Sequence, residues 1–101
     1  MNRVILIGRL TKDPEFKESK DLAIARYTLA VDRRGRDENA DFISCVVFQK
    51  GAEFANQYLK KGTKIAIEGR IQTGSYENRK GEKVYTTDVI VDSQEFCEKK
   101  E

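Results

Sequence analysis

The stretch DFISCVVFQK, residues 41–50, alternates as a β-strand does and decides the fold expected for the chain. Successive side chains of a strand point to opposite faces of the sheet. The two faces are Phe42, Ser44, Val46, Phe48 and Lys50 on one side, and Ile43, Cys45, Val47 and Gln49 on the other. The second face is mostly small and apolar, which suits a packed core. The first face carries two phenyl rings and ends in a lysine.

Two interpretations of the phenylalanine face are open. If the face is sealed, Phe42 and Phe48 are ordinary core residues, as most phenylalanines are. If the face is open, the rings are flat platforms beside a positive charge. Single-stranded nucleic acid binds such platforms, because every base offers a π-face and every linkage a phosphate. The strand alone favours the sealed interpretation, so the rest of the chain has to decide.

Length and composition restrict the function. A chain of 101 residues makes one domain, and its charged residues (36%) nearly balance at a formal net charge of +2. Phosphate binding would therefore need charges that are segregated on the surface. The chain has no apolar run that could span a membrane and no signal peptide, so a cytoplasmic location is expected. With no histidine, and with Cys45 and Cys97 far apart, neither a metal site nor a cofactor is expected.

The hydrophobic pattern predicts five strands and one helix. Strands are expected over residues 3–10, 22–33, 41–50, 63–72 and 84–91, and a helix over residues 51–62. Residues 11–21 and 73–83 are expected to be loops, and residues 92–101 a fraying tail. A helix between the third and fourth of five strands is the arrangement of the oligonucleotide/oligosaccharide-binding (OB) fold, an all-β barrel. The OB domain is expected over residues 1–92, with a short extension over residues 93–101.

Three details of this prediction bear on the site. Lys60 and Lys61 are placed in the last turn of the helix, with Gly62 after it. The segment 33–40, RRGRDENA, is either an electropositive finger or a solvated hairpin tip. Tyr76 is isolated in the polar stretch 73–83.

In colinear order from residue 1 to about 92, the chain resembles the bacterial single-stranded DNA-binding protein family. The stretches that carry the resemblance are MNRVILIGRLTKDPE, YTLAVDR, DFISCVVFQKGAEFANQYLKKG, IEGRIQTGSYEN and YTTDVIV. The resemblance implies an OB fold and a homotetramer, a dimer of dimers. It also implies sequence-independent binding and protection of single-stranded DNA in replication, recombination and repair, without catalysis.

The resemblance also assigns residues. The family's stacking aromatics fall on Phe42, Phe48 and Tyr76, which favours the open interpretation of the phenylalanine face. Matching basic positions, together with the basic residues of two turns, complete the predicted DNA-binding set: Arg3, Lys50, Lys61, Arg33, Arg34, Arg36, Arg79 and Lys80. Where some family members carry a further tryptophan, this chain has Arg33-Arg34-Gly35-Arg36, and arginine can also stack on a base and pair with phosphate.

The end of the chain departs from the family. Members usually continue into a flexible segment with an acid-rich tip, which recruits replication and repair enzymes. This chain ends in FCEKKE, as a shortened chain or a tail-less paralogue would. Partners recruited through a tail are therefore not expected.

Other functions remain as alternatives. Catalysis is disfavoured because the chain has no histidine for general acid–base chemistry and no glycine-rich phosphate loop. A primosomal accessory protein of the same fold would differ in oligomeric state and DNA site size. A cold-shock-like RNA-binding domain is a further alternative, but the clustered aromatic motifs that such domains use are absent from this sequence. Another OB-fold interaction module is the alternative if the phenylalanine face is buried.

Overall fold

A computed structural model describes residues 1–35 and 38–97 of the chain. Its elements in chain order are β1 (Val4–Leu10), β2 (Glu15–Ser19), β3 (Leu22–Asp32), β4 (Ala40–Phe48), α1 (Lys50–Tyr58), β5 (Lys64–Glu77) and β6 (Lys83–Phe96). The prediction of an all-β fold with one short helix is confirmed. No helix in this described part of the chain has the length and apolar character needed to cross a membrane.

Five of the strands close into a ring. The sheet order is β1-β5-β6-β4-β3-β2, and β1 pairs with β3 as well. The rungs Arg9↔Ala30 and Leu10↔Leu29 make this closure at the end of β1, whereas residues 4–8 of β1 pair with β5 alone among the described strands. The helix lies between β4 and β5, the third and fourth strands of the ring. The predicted five-stranded OB arrangement is therefore confirmed.

The strand β2 was not predicted. Residues 11–21 were expected to be a loop, but Glu15–Ser19 pair with β3 from Glu15↔Arg26 to Ser19↔Leu22. The sequence EFKES has little apolar alternation, so its strand conformation depends on the backbone of β3 and on Phe16, which packs against the core. Tertiary pairing here overrides local preference. The strand β2 lies beside β3 and extends the sheet beyond the ring.

The boundaries of the helix also differ from the prediction. The strand β4 ends at Phe48, and Gln49 turns the chain with a φ of 55°. Lys50 therefore starts α1 and does not continue the phenylalanine face. The helix ends at Tyr58, so Lys60 and Lys61 lie beyond its last turn. Gly62 has a φ of 87° and its N–H donates to the carbonyl of Leu10, so it serves the turn into β5 and not the helix end.

The hairpin of β5 and β6 is longer than predicted. Its ladder runs from Ile65↔Phe96 to Glu77↔Lys83, which leaves only residues 78–82 as a loop. The expectation that residues 92–96 fray is wrong, because residues 93–96 pair with β5 and Asp92 lies within β6 at a shift of the ladder register. From Arg70 onward every residue of β5 is exposed. We call residues 72–77 and 83–88 the β5–β6 arm.

The core lies inside the ring and under α1. It is built from the inward residues of the strands and two helix alanines, including Leu10, Tyr27, Leu29, Cys45, Ala52, Ala55, Ile65 and Ile67. Cys45 is completely buried, as the sequence predicted for a small apolar side chain. Gly8 permits the closure of the ring, because a Cβ there would lie 2.6 Å from the carbonyl oxygen of Ala30.

Candidate nucleic-acid interface

The outer face of β4 is open at both ends. Phe42 is 68% exposed and Phe48 is 41% exposed, so the interpretation of both rings as sealed core is wrong. They lie six residues apart on one strand, which corresponds to about 20 Å at ~3.3 Å per residue. Between them Ser44 is half-buried, whereas Val46, expected on the open face, is buried. The two rings are therefore separate platforms on either side of a closed centre.

The neighbouring strand explains the exposure of Phe42. In the β3–β4 ladder Phe42 lies opposite Ala30, and Phe48 lies opposite Ile24. The methyl side chain of Ala30 is too short to cover a phenyl ring. The larger Ile24 lies beside Phe48, which is the less exposed of the two.

Tyr76 is on the arm and not in a loop. It pairs with Val84 in the β5–β6 ladder and is 57% exposed. The ladder register shows which face of the sheet Tyr76 occupies, because paired residues point to the same face. Arg70 pairs with Ile90, and Ile90 pairs with Val46 on the outer face of β4. Tyr76 is six residues from Arg70 on one strand, so it has the same orientation. The three predicted aromatics thus project from the same, outer surface of the sheet.

The predicted basic residues differ in their surroundings. The guanidinium of Arg3 is ion-paired with the carboxylate of Glu68. Arg33 is likewise paired with Asp41, with an N–O distance of 2.9 Å. Lys50 is the exposed first residue of α1, two residues after Phe48, and Lys61 is exposed three residues after the end of α1. Lys61 is held through its backbone N–H, which donates to a carboxylate oxygen of Asp13 at 2.8 Å.

The remaining basic residues lie on two turns. Arg34 is exposed directly after β3, and Arg36 lies outside the described residues. Arg79 and Lys80 are exposed at the tip of the β5–β6 arm. The Asn78 side chain shapes this tip by accepting hydrogen bonds from the backbone N–H groups of Lys80 and Glu82, both at 2.9 Å. The arm therefore carries an aromatic ring near a tip with two cations.

Sequence reasoning missed three cations on the outer face. All three are exposed: Lys17, Arg26 and Arg70. Arg26 lies opposite Val46 of β4. Lys17 lies opposite Ile24, which pairs with Phe48, and Arg70 lies opposite Ile90, which pairs with Val46. The available signal for Arg26 was its alternation with the core residues Tyr27 and Leu29. That alternation places Arg26 on the outside of β3, but it does not reveal which strand lies beside it.

Two titratable side chains near the core are held neutral. Burial, with a smaller effect of Cys45, raises the pKa of Tyr27 above its usual value. Its hydroxyl donates to Gln94 Oε1 at 2.7 Å. Burial, with a smaller effect of the Asp88 charge, raises the pKa of Cys45 to about 12. Both groups belong to the protein interior and not to the outer face.

The outer face can bind a ligand by aromatic stacking and by contacts from its cationic side chains. Exposed rings bind bases through their π-faces, and nearby guanidinium and ammonium groups bind phosphates. Within residues 1–35 and 38–97, no group of three or more histidine, cysteine or acidic side chains is placed to hold a metal ion.

Comparisons with known proteins agree with this geometry. The model of the family described as "Single-strand binding protein family" matches residues 1–97. The chain is 52% identical over 100 residues to a single-stranded DNA-binding protein of Clostridium perfringens, covering 97% of this chain and 67% of that protein. It is 46% identical over 106 residues to single-stranded DNA-binding protein 1 of Staphylococcus aureus strain COL, covering 99% and 63%. The chain thus spans about two thirds of the length of these relatives.

Proposed function

Since the chain belongs to the single-strand binding protein family, we propose that it binds single-stranded DNA without sequence preference and protects it during replication, recombination and repair in the nucleoid. The observation that carries this proposal is the exposure of Phe42, Phe48 and Tyr76 on one face of a closed barrel. The relatives are named for binding single-stranded DNA, which favours this function over the primosomal and general interaction alternatives.

Stacking supplies the largest part of the binding free energy in this proposal. One base stacked on an aromatic side chain is worth about 1–3 kcal/mol, and stacking tolerates any base. Three rings per subunit therefore supply several kcal/mol without reading sequence. The ~20 Å between Phe42 and Phe48 requires the DNA strand to cross the middle of β4 between the two stacked bases.

Cations around the rings neutralise the DNA backbone in this proposal. Lys50, Lys61, Arg34, Arg79 and Lys80 are the exposed candidates, with Arg36 as the candidate outside the described residues. Arg3 and Arg33 contribute less, since each already neutralises a carboxylate. Each phosphate contact adds about −0.7 to the log–log salt slope for single strands. A net charge of +2 therefore corresponds to a modest total slope.

The proposed assembly is a homotetramer built as a dimer of dimers. Ile5 (68% exposed) and Ile7 (52% exposed) project from the outside of β1. Along residues 4–8 the described pairing of β1 is with β5 alone, because the β1–β3 rungs involve only Arg9 and Leu10. An apolar side-chain row beside an open strand edge suits a second copy of this chain.

The proposal is tested by titrating the protein with a labelled oligothymidylate and measuring fluorescence anisotropy. Substituting Phe42, Phe48 or Tyr76 by alanine removes a stacking platform. Each substitution should weaken binding by about 1–3 kcal/mol, and by similar amounts for oligonucleotides of mixed sequence.

The control is Tyr58→Ala, which removes a half-exposed ring from α1 and not from the sheet face. It should leave the affinity unchanged. If all three outer-face variants bind as tightly as the unmodified protein, stacking on this face is disproved. Native mass spectrometry of the same samples reports the number of subunits and the length of DNA bound.

A further inference from the structure

Arg26 lies at the centre of the outer face, between the two phenylalanines. It faces Val46 across the β3–β4 pair, and the next pair along this face is Thr28↔Ser44. Arg26 is therefore a diagonal neighbour of both Ser44 and Phe48. Diagonal neighbours on an antiparallel pair are about 7–8 Å apart, within reach of a long side chain. Its guanidinium can reach the interval that a DNA strand must cross between Phe42 and Phe48.

The hydrogen-bond donors of this cluster are unused. Within the described residues, the guanidinium of Arg26 makes neither an ion pair nor a hydrogen bond, and the hydroxyls of Thr28 and Ser44 make no hydrogen bond. This differs from Arg3 and Arg33, whose guanidinium groups are each paired with a carboxylate. A guanidinium has five N–H donors in a planar fork. Glu15 lies opposite Arg26 in the β2–β3 ladder, but among the described residues its carboxylate is ion-paired with Lys12 and not with Arg26. The cluster therefore presents several donors that no described residue accepts.

A shallow cavity joins these three side chains. Its volume is about 140 Å³, and its lining comprises Lys12, Glu15, Arg26, Tyr27, Thr28 and Ser44. Glu15 is the one carboxylate in this lining, and its Oε1 lies 4.0 Å from Lys12 Nζ. Two cations and one carboxylate leave the lining with a net charge of +1. The cavity is thus suited to an anion.

We propose that Arg26, Thr28 and Ser44 form a phosphate site that holds the DNA backbone between the bases stacked on Phe42 and Phe48. This inference rests on the proposed function and adds a specific contact to it. The guanidinium binds two phosphate oxygens through its fork, and the two hydroxyls donate to the same group. The site accounts for how a strand passes over the middle of β4, where Val46 offers no platform.

The test compares Arg26→Gln with Lys60→Gln, which makes the same change of charge at an exposed residue beyond α1. Affinity for an oligothymidylate is measured over a series of NaCl concentrations. Arg26→Gln should weaken binding severalfold and make the log–log salt slope shallower by about 0.7, the value of one lost phosphate contact. Lys60→Gln should do neither. Thermal unfolding should be unchanged in both, since both side chains are exposed.

Two further variants separate the fork from the charge. Arg26→Lys keeps the charge and the long side chain but loses the planar fork, so it should weaken binding while the salt slope stays unchanged. The double variant Thr28→Val with Ser44→Ala removes only neutral hydrogen-bond donors, so it should also weaken binding and leave the salt slope unchanged. If Arg26→Gln and Lys60→Gln have the same slope and affinity, the phosphate site is disproved. The proposed function fails separately, if the unmodified protein does not bind oligothymidylate.

Discussion

The two cysteines of this chain have opposite environments. Cys45 is completely buried on the inner face of β4, and Cys97 is exposed after the end of β6. Burial first, and the negative charge of Asp88 second, raise the pKa of the Cys45 thiol to about 12. The thiolate is the reactive form, so Cys45 is both inaccessible and chemically inert at neutral pH. Cys97 is accessible to solvent.

At pH 8 we therefore expect iodoacetamide to modify Cys97 alone in the native protein. Both cysteines should be modified in urea, where Cys45 is accessible and its pKa is close to the ordinary value. Intact-mass measurement distinguishes one added group from two. The Cys97→Ser variant serves as control and should gain no group while native. Rapid modification of native Cys45 would contradict the burial described above.

At the scale of the element, the β5–β6 hairpin depends on one irregularity. The ladder register shifts between Glu68 and Gly69, because Asp92 of β6 has no opposite residue on β5. Gly69 packs against the backbone of Ile90, and a Cβ at this position would overlap the Ile90 carbonyl oxygen. The absent side chain lets the two backbones approach, which is a usual reason for glycine inside a strand.

The Gly69→Ala substitution should therefore lower the free energy of unfolding by about 1–3 kcal/mol, as overpacking does elsewhere. Urea unfolding followed by circular dichroism measures this change. Gly74→Ala in the same strand is the matched comparison, because its Cβ would meet only the Thr86 hydroxyl oxygen, at 3.2 Å. Gly74→Ala should cost less. Equal costs at the two positions would show that close backbone packing at Gly69 is unimportant.

At the scale of the whole molecule, the barrel presents two distinct outer surfaces. One carries Phe42, Phe48 and Tyr76 and extends across β3, β4 and the arm. The other is the outside of β1, where Ile5 and Ile7 are exposed. Because these two surfaces lie on different strands of the ring, DNA binding and subunit association use different parts of the barrel in the proposed function.

Replacing both Ile5 and Ile7 by aspartate should convert the oligomer into a folded monomer. Four charges in a two-fold contact would repel one another, and the substituted side chains are already exposed in the single chain. Sedimentation velocity gives the subunit number, and circular dichroism checks the fold. Leu22→Asp places a charge at an exposed apolar position on β3 and should leave the subunit number unchanged. An unmodified protein that sediments as a monomer would disprove the proposed assembly.

Local patterning was enough to predict much of this protein. The period of two in residues 41–50 separated Cys45, which is buried, from Phe42 and Phe48, which are exposed. The spacing of strands and helix predicted the OB arrangement. These features follow from the sequence because the side-chain direction along a strand is set by the backbone itself.

Which strands lie side by side was decided only by the tertiary structure. The strand conformation of β2 and of Tyr76 depends on pairing across a hairpin, with β3 and with Val84 respectively. The burial of Val46 involves Ile90, a partner distant in the sequence. The same is true of Arg26, whose place between the phenylalanines follows from the β3–β4 register. Alternation along one strand determines the face that a side chain occupies, whereas its neighbours on that face depend on backbone hydrogen bonds between strands.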